Sequence, residues 1–238
     1  MPHVDLPDDI RIRYDQRGPA DARPLVLAHG FTVSLEMWYP QMEALSQDYR
    51  LITWDARGHG GSSAPPWRDE YTMPALAGDL RGLLEELDAV DGAIIGGMSF
   101  GGQIATQYAV DYTTDVYALI LSDTVTRGDQ VAVPRSGFEE WAGDPGLDGA
   151  HHAMVNRPDL TRALQDVNVP TLVLAGALDQ PIVSRLHRLD GLPRRRVVQL
   201  DGCWHGSSSQ RPRDWTDEVL RFLRDVEAGH ALGEDELR

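Results

Sequence analysis

Short apolar runs alternate with amphipathic stretches along this chain. Leu25–Ala28, Leu51–Trp54, Ala93–Gly97, Ala118–Leu121, Thr171–Ala175 and Val197–Leu200 are runs of four or five residues with no polar alternation. Such runs suit strands buried on both faces, as in a parallel sheet. Between them the period changes. Leu76, Leu80, Leu83, Leu84 and Leu87 recur at helical spacing, as do Val219, Leu220, Phe222, Leu223 and Val226. Each set falls on one helix face. Strands alternating with helices predict right-handed βαβ units, an α/β architecture with a mostly parallel twisted sheet flanked by helices. From Thr124 to Val169 the rhythm breaks, with no clear strand and with Gly143, Pro145, Gly146 and Gly149. Residues 124–169 are therefore expected to form a short cap at the rim of the sheet, after the sixth strand. The whole chain, 1–238, is expected to be one domain. The tail, 228–238, is acidic and short of large apolar residues, and is expected to fray.

Chemistry concentrates on Gly97-Met98-Ser99-Phe100-Gly101, which reads G-x-S-x-G. It follows the run Ala93–Gly97 and precedes a helical pattern from Gln103 to Val110. At a strand–helix junction this spacing puts the serine on a sharp turn, with the helix N-terminus behind it. A serine hydroxyl is a weak nucleophile and needs a base, and that base needs a carboxylate to orient it. His205 follows the run Val197–Leu200 and the turn Asp201-Gly202, at the C-terminal end of a strand, where such sites form. His187 falls within a helical stretch and His230 in the tail. Two acids stand at strand ends after the serine. Asp179 is the first choice and Asp123 the alternative, Asp123 otherwise serving as a loop cap.

Further motifs carry a resemblance. Leu25–Phe31 ends in His29-Gly30-Phe31; Asp55–Ser62 reads D-A-R-G-H-G-G-S; Leu121–Thr124 reads L-S-D-T. With the serine pentapeptide, these resemble the α/β-hydrolase superfamily, in its 3-oxoadipate enol-lactonase-like and haloperoxidase-like branch. The likeness runs from Leu25 to Phe222 apart from the cap. It implies Ser99 as nucleophile, His205 as base, Asp179 as the acid that orients it, and the backbone N–H groups of Phe31 and Phe100 as oxyanion hole. His29, Arg57 and His59 would hold loops. The implied reaction is cofactor-free hydrolysis of a small-molecule carboxylic ester or lactone through an acyl-enzyme. C–C bond hydrolysis, acyl transfer or perhydrolysis on the same triad, or a non-catalytic receptor of the same fold, are the alternatives. Two departures stand out. Gln210 replaces the usual Glu of H-x4-E-x-P, and Trp204 stands before the histidine where Gly is usual. Only 45 residues separate Asp123 from Val169, which makes the cap short and the site open, or completed by another copy of the chain. Trp141, Phe138 and Met154 on the cap are expected to cover the site, and Trp204 either to line it or to pack on the sheet edge.

Composition narrows the partners. The 238 residues hold 37 acids, 26 of them Asp, against 22 bases, all Arg, for a net charge of −15. That balance argues against nucleic acid and anionic membrane surfaces. Arg194-Arg195-Arg196 reads as a solvated turn. The single cysteine, Cys203, excludes an internal disulfide and reads as a small packing residue. His151 and His152 are adjacent and lack the i, i+4 spacing of a metal pair, so no metal site is expected. Residues 1–9 lack a signal-peptide pattern, and no run approaches the about 18 apolar residues of a membrane span. A cytoplasmic protein is the expectation. An anionic substrate would approach against the field, so neutral esters fit better unless an arginine stands at the mouth. An Asp-rich, Lys-free surface suits a high-salt solvent, where screening removes self-repulsion; GC-rich coding explains the all-Arg count as well, but not the acid excess. Melting temperature against KCl separates the two. A rise marks salt adaptation, and a flat or falling curve removes it.

Overall fold

The computed structural model describes residues 1–126, 143–230 and 232, and the backbone of 236–237. Its strands are β1 (His3–Leu6), β2 (Ile10–Arg17), β3 (Pro24–Ala28), β4 (Arg50–Trp54), β5 (Ala93–Met98), β6 (Val116–Ser122), β7 (Thr171–Gly176), β8 (Arg195–Leu200) and β9 (Glu236–Leu237). They form one sheet in the order β1-β2-β4-β3-β5-β6-β7-β8-β9. From β4 to β9 along that order every pairing is parallel. Each of the six apolar runs is a strand of this parallel part, where burial on both faces removes any need for alternation.

The pattern did not announce the two antiparallel strands at the start of the chain. β1 pairs with β2, and β2 with β4. β2 does alternate: Ile10 and Ile12 are buried and Arg11 is exposed. That is the period-2 signal of a half-covered edge. At the other edge, β9 adds to β8 with Val198 opposite Glu236. Composition predicts a frayed tail, yet these two residues pair with the backbone groups that an edge strand leaves open.

The helices are α1 (Tyr39–Leu45), α2 (Met73–Glu86), α3 (Phe100–Asp111), α4 (Pro145–Val155), α5 (Gln180–Val183), α6 (Ser207–Gln210) and α7 (Pro212–Glu227). The α2 leucines turn onto the sheet beside α3, while α1 packs with α7 on the opposite face. Each face has its own core. One holds Leu76, Leu80, Ile104 and Tyr108, the other Trp38, Trp215, Val219 and Phe222. β3 lies between β4 and β5, and its following helix α1 covers the face opposite α3. The chain thus changes direction across the sheet at β3 and β5. A crevice opens there, beyond the carboxyl ends of the strands.

In the segment 124–169 the described residues include one α-helix, α4. Asp144 caps α4 by accepting from the backbone N–H groups of Gly146 and Leu147, and Pro145 at the first helical position needs no N–H partner. The helix is seated on the loop after β4. Arg68 pairs with Asp148, and Gly149 lies flat on the Tyr71 ring, so close that a Cβ would stand 2.3 Å from Tyr71 Cδ2. Phe138 and Trp141, expected over the site, lie outside the described residues. Gly149→Ala should lift α4 off Tyr71. Overpacking of this kind costs about 1–3 kcal/mol, each worth roughly 2–4 °C in a domain this size. The check is a lower melting temperature together with faster limited proteolysis at 143–155.

Candidate active site

β5 ends at Met98 and α3 begins at Phe100, leaving Ser99 alone to make the turn with φ +53° and ψ −111°. Such a left-handed angle is costly for a residue with a side chain, on the order of 1–3 kcal/mol. Neighbours hold it there. The Ser99 N–H donates to Ser122 O at 2.8 Å, and Ser99 O accepts from Gln103 N at 3.0 Å and Thr124 Oγ1 at 3.0 Å. The turn can be this tight because a Cβ on Gly97 would stand 2.3 Å from the Gly101 carbonyl carbon, and one on Gly101 would stand 2.2 Å from Ala28 O. The start of α3 is thereby pressed onto the end of β3. Phe100, which opens the helix, lies beside the loop that carries Phe31; their rings are 6.2 Å apart.

The loops after β7 and β8 meet the serine. His205 Nε2 is 2.9 Å from Ser99 Oγ, and His205 Nδ1 is 2.6 Å from Asp179 Oδ2. Asp179 is buried and caps α5 with its other oxygen, which accepts from Ile182 N at 3.4 Å. Burial lowers the His205 pKa, but the hydrogen bond to Asp179 and the charges of Asp123 and Asp179 outweigh it, so the net shift is upward from 6.5. Ser99, Asp179, His205 and Phe31 line a cavity of about 760 Å³.

A family model described as alpha/beta hydrolase fold matches residues 23–148, more than half of the chain. The chain belongs to that family. It is 38% identical over 112 residues to a non-heme chloroperoxidase of Burkholderia pyrrocinia, an alignment that takes in 47% of this chain and 40% of that protein. Among solved structures, a thermophilic esterase of Thermogutta terrifontis superposes with a TM-score of 0.84 at 27% identity, over 95% of this chain and 99% of the other. The enol-lactonase of Burkholderia xenovorans LB400 superposes with a TM-score of 0.81 at 24% identity, over 94% and 100%.

Within this hydrolase fold the second candidate acid has a different task. Asp123 is fully buried at φ +47°. Its Oδ1 accepts from Gly176 N at 2.9 Å. Its Oδ2 accepts from Ser207 N at 2.9 Å, Ser207 Oγ at 2.7 Å and Ser122 Oγ at 3.1 Å. The carboxylate is spent on tying β6, β7 and α6 together, two residues from the histidine. Gln210 clamps the same loop. Its amide oxygen accepts from Trp204 N at 3.0 Å and its NH2 donates to His205 O at 2.8 Å. A glutamate could make only the first of these bonds, since a carboxylate has no proton to donate; the departure from Glu is thereby explained.

The remaining candidates divide. Met154 lines the cavity. Trp204 does not: its backbone carbonyl faces Gly176, where a Cβ would meet it at 2.3 Å, and the residue is 60% exposed. Cys203 is buried, donates to Leu200 O at 3.1 Å, and burial pushes its thiol pKa up. His29 Nε2 accepts from Ala56 N at 3.0 Å, joining the loops after β3 and β4. Arg57 makes two bonds to Asp79, at 2.6 and 2.8 Å, and His59 packs on Phe100 with its pKa lowered to about 3 by burial. Among the described residues no three His, Cys, Asp or Glu side chains are placed to hold a metal ion, and no helix is long and apolar enough to cross a membrane. Sequence reasoning missed Arg157 and Arg185, both of which line the cavity; nothing in their local pattern marks them.

Asp123→Asn sets an NH2 group against at least one of these donors. Leaving a buried group unpaired costs about 1–3 kcal/mol, read as a fall in melting temperature. The Asp123 charge helps to raise the His205 pKa, so its removal lowers it. An NMR titration of the imidazole should show the downward shift.

Proposed function

We propose that this protein is a serine hydrolase of carboxylic esters or lactones, working through an acyl-enzyme. The observation that carries the reading is the continuous chain from Ser99 Oγ to His205 to Asp179, at 2.9 and 2.6 Å, in the wall of a cavity. His205 Nε2 takes the Ser99 proton as Oγ adds to the substrate carbonyl. Asp179 holds the Nδ1–H tautomer and stabilises the imidazolium that forms. The N–H groups of Phe31 and Phe100 receive the oxyanion. They bind it more strongly than the ground-state carbonyl, which is what lowers the barrier. His205 then protonates the leaving alkoxide. A water enters, gives its proton to His205 and its oxygen to the acyl carbon, and Ser99 is released as the free acid departs. The likeness to an esterase at 27% identity over nearly the full length of both chains supports the same reading.

An organophosphonate should label wild-type protein at Ser99 stoichiometrically and Ser99→Ala not at all, and p-nitrophenyl esters of short and medium chain should turn over. With neither label nor turnover, the hydrolase reading is wrong, and a receptor of the same fold takes its place. Asp179→Asn should lower kcat by about 10⁴. The pH profile has a definite sign. His205 must be neutral to act as base, so activity falls as pH drops through its raised pKa; without Asp179 that acidic limb moves to lower pH.

A further inference from the structure

We propose that Arg185 binds a carboxylate on the substrate, so that the favoured esters or lactones carry a free acid group at the end remote from the scissile carbonyl. This rests on the hydrolase reading above. Four observations carry it. First, the cavity holds a guanidinium that no described carboxylate neutralises. The acid surplus of 37 over 22 is used widely to pair arginines: Arg13, Arg57, Arg68, Arg81, Arg195, Arg196 and Arg221 all meet carboxylates. Arg185 lines the cavity and meets no carboxylate among the described residues.

Second, the side chain is anchored but not used up. Nη1 donates to Pro181 O at 2.5 Å, and the residue is half-buried. A guanidinium has five N–H donors in a planar fork, so the remaining ones are left for a ligand. Third, its place is tied to the chemistry. The Arg185 N–H donates to Ile182 O at 2.8 Å, which continues the turn of α5, and α5 is capped by Asp179. One short segment thus carries both the acid that orients His205 and this arginine.

Fourth, the acids of the wall are already taken. Among the described residues the two acids in the cavity wall are engaged, Asp179 by His205 and Asp123 by its four donors. They do not compete for Arg185. Phe31, Val33, Met37, Met98, Val125 and Ile182 supply the apolar part of the same lining. A ligand that fits this wall has an apolar middle, an acyl carbon at Ser99 and an anion at Arg185. The charge of −15 opposes an anion at long range. That field is screened over about 8 Å at physiological salt, whereas a guanidinium in direct contact inside a cavity is screened much less.

Two matched ester pairs test the proposal, one with the acid on each side of the scissile bond. They are p-nitrophenyl hydrogen hexanedioate against p-nitrophenyl hexanoate, and 4-carboxyphenyl hexanoate against its 4-methoxycarbonyl analogue. In one pair the wild type should prefer the charged member. Arg185→Gln should reduce kcat/KM for that ester at least tenfold through KM, and change its neutral partner less than twofold. Arg224→Gln, which removes the same charge from the exposed side of α7, should leave the preference intact. Equal ratios in wild type and Arg185→Gln, or an equal loss in Arg224→Gln, would overturn the proposal. Binding of monomethyl hexanedioate to Ser99→Ala protein, with and without Arg185→Gln, needs no turnover. It should weaken at least tenfold with the arginine gone, and unchanged binding overturns the anion site whether or not phosphonate labelling has upheld the hydrolase reading.

Discussion

The conformation of Ser99 is the constraint on which the molecule turns. A residue with a side chain is held at φ +53° between the last residue of β5 and the first of α3, a position that by itself disfavours folding. It persists because the sheet and helix on either side leave the backbone no other path. Gly97 and Gly101 remove the two Cβ atoms that would block the close approach, and β6 accepts the serine N–H. The strained turn lifts a hydroxyl clear of the sheet, with the start of a helix behind it and the β3 loop alongside. Every other element of the site is arranged to meet that one atom.

The carboxylates take a larger part in this arrangement than a net charge suggests. Asp55, Asp79, Asp123 and Asp179 are all buried, and each joins segments that are remote in sequence. Asp55 accepts from Leu35 N, Gly61 N and Arg13, holding the loops after β3 and β4 to the second strand. Asp79 receives Arg57 from the same loop. Asp123 ties the ends of β6 and β7 to α6. An acidic composition points first to an acidic surface. Part of the acid count here is interior carpentry, with the negative charge met by backbone N–H groups or arginine, as a buried carboxylate requires.

Legible in the sequence was whatever repeats with a period or sits in a strict spacing. Six parallel strands showed as apolar runs, α2 and α7 as leucine- and valine-rich faces, and the serine as the centre of a pentapeptide. His205 and Asp179 were legible as residues just past strand ends. Less legible was anything that depends on which way a side chain turns. Asp123 and Asp179 look alike in the sequence, each one or a few residues beyond a strand; only the fold shows one facing four donors and the other facing an imidazole. Trp204 is exposed while its carbonyl packs on Gly176 at the end of β7, a contact between segments that no local pattern shows. β1 and β2 were missed because three alternating positions are a thin signal beside the long apolar runs. Arg185 was missed because a lone arginine after a four-residue helix has no periodicity at all.

The bond between His205 and Ser99 spans 106 positions of sequence, and that distance has a consequence for how the protein is made. In a parallel sheet the strands that touch are separated by whole crossovers, so few contacts are local, and such topologies are slow to assemble. A ribosome adding roughly 5–20 residues per second delivers the serine turn well before the histidine loop. Through that interval β6 can already hold the serine turn through Ser122 O and Thr124 Oγ1, but the Ser99 hydroxyl has no histidine to meet. The contact between Ser99 and His205 is thus among the last that this chain forms. Any slip in the register of β8 leaves a nearly complete fold in which His205 no longer reaches Ser99.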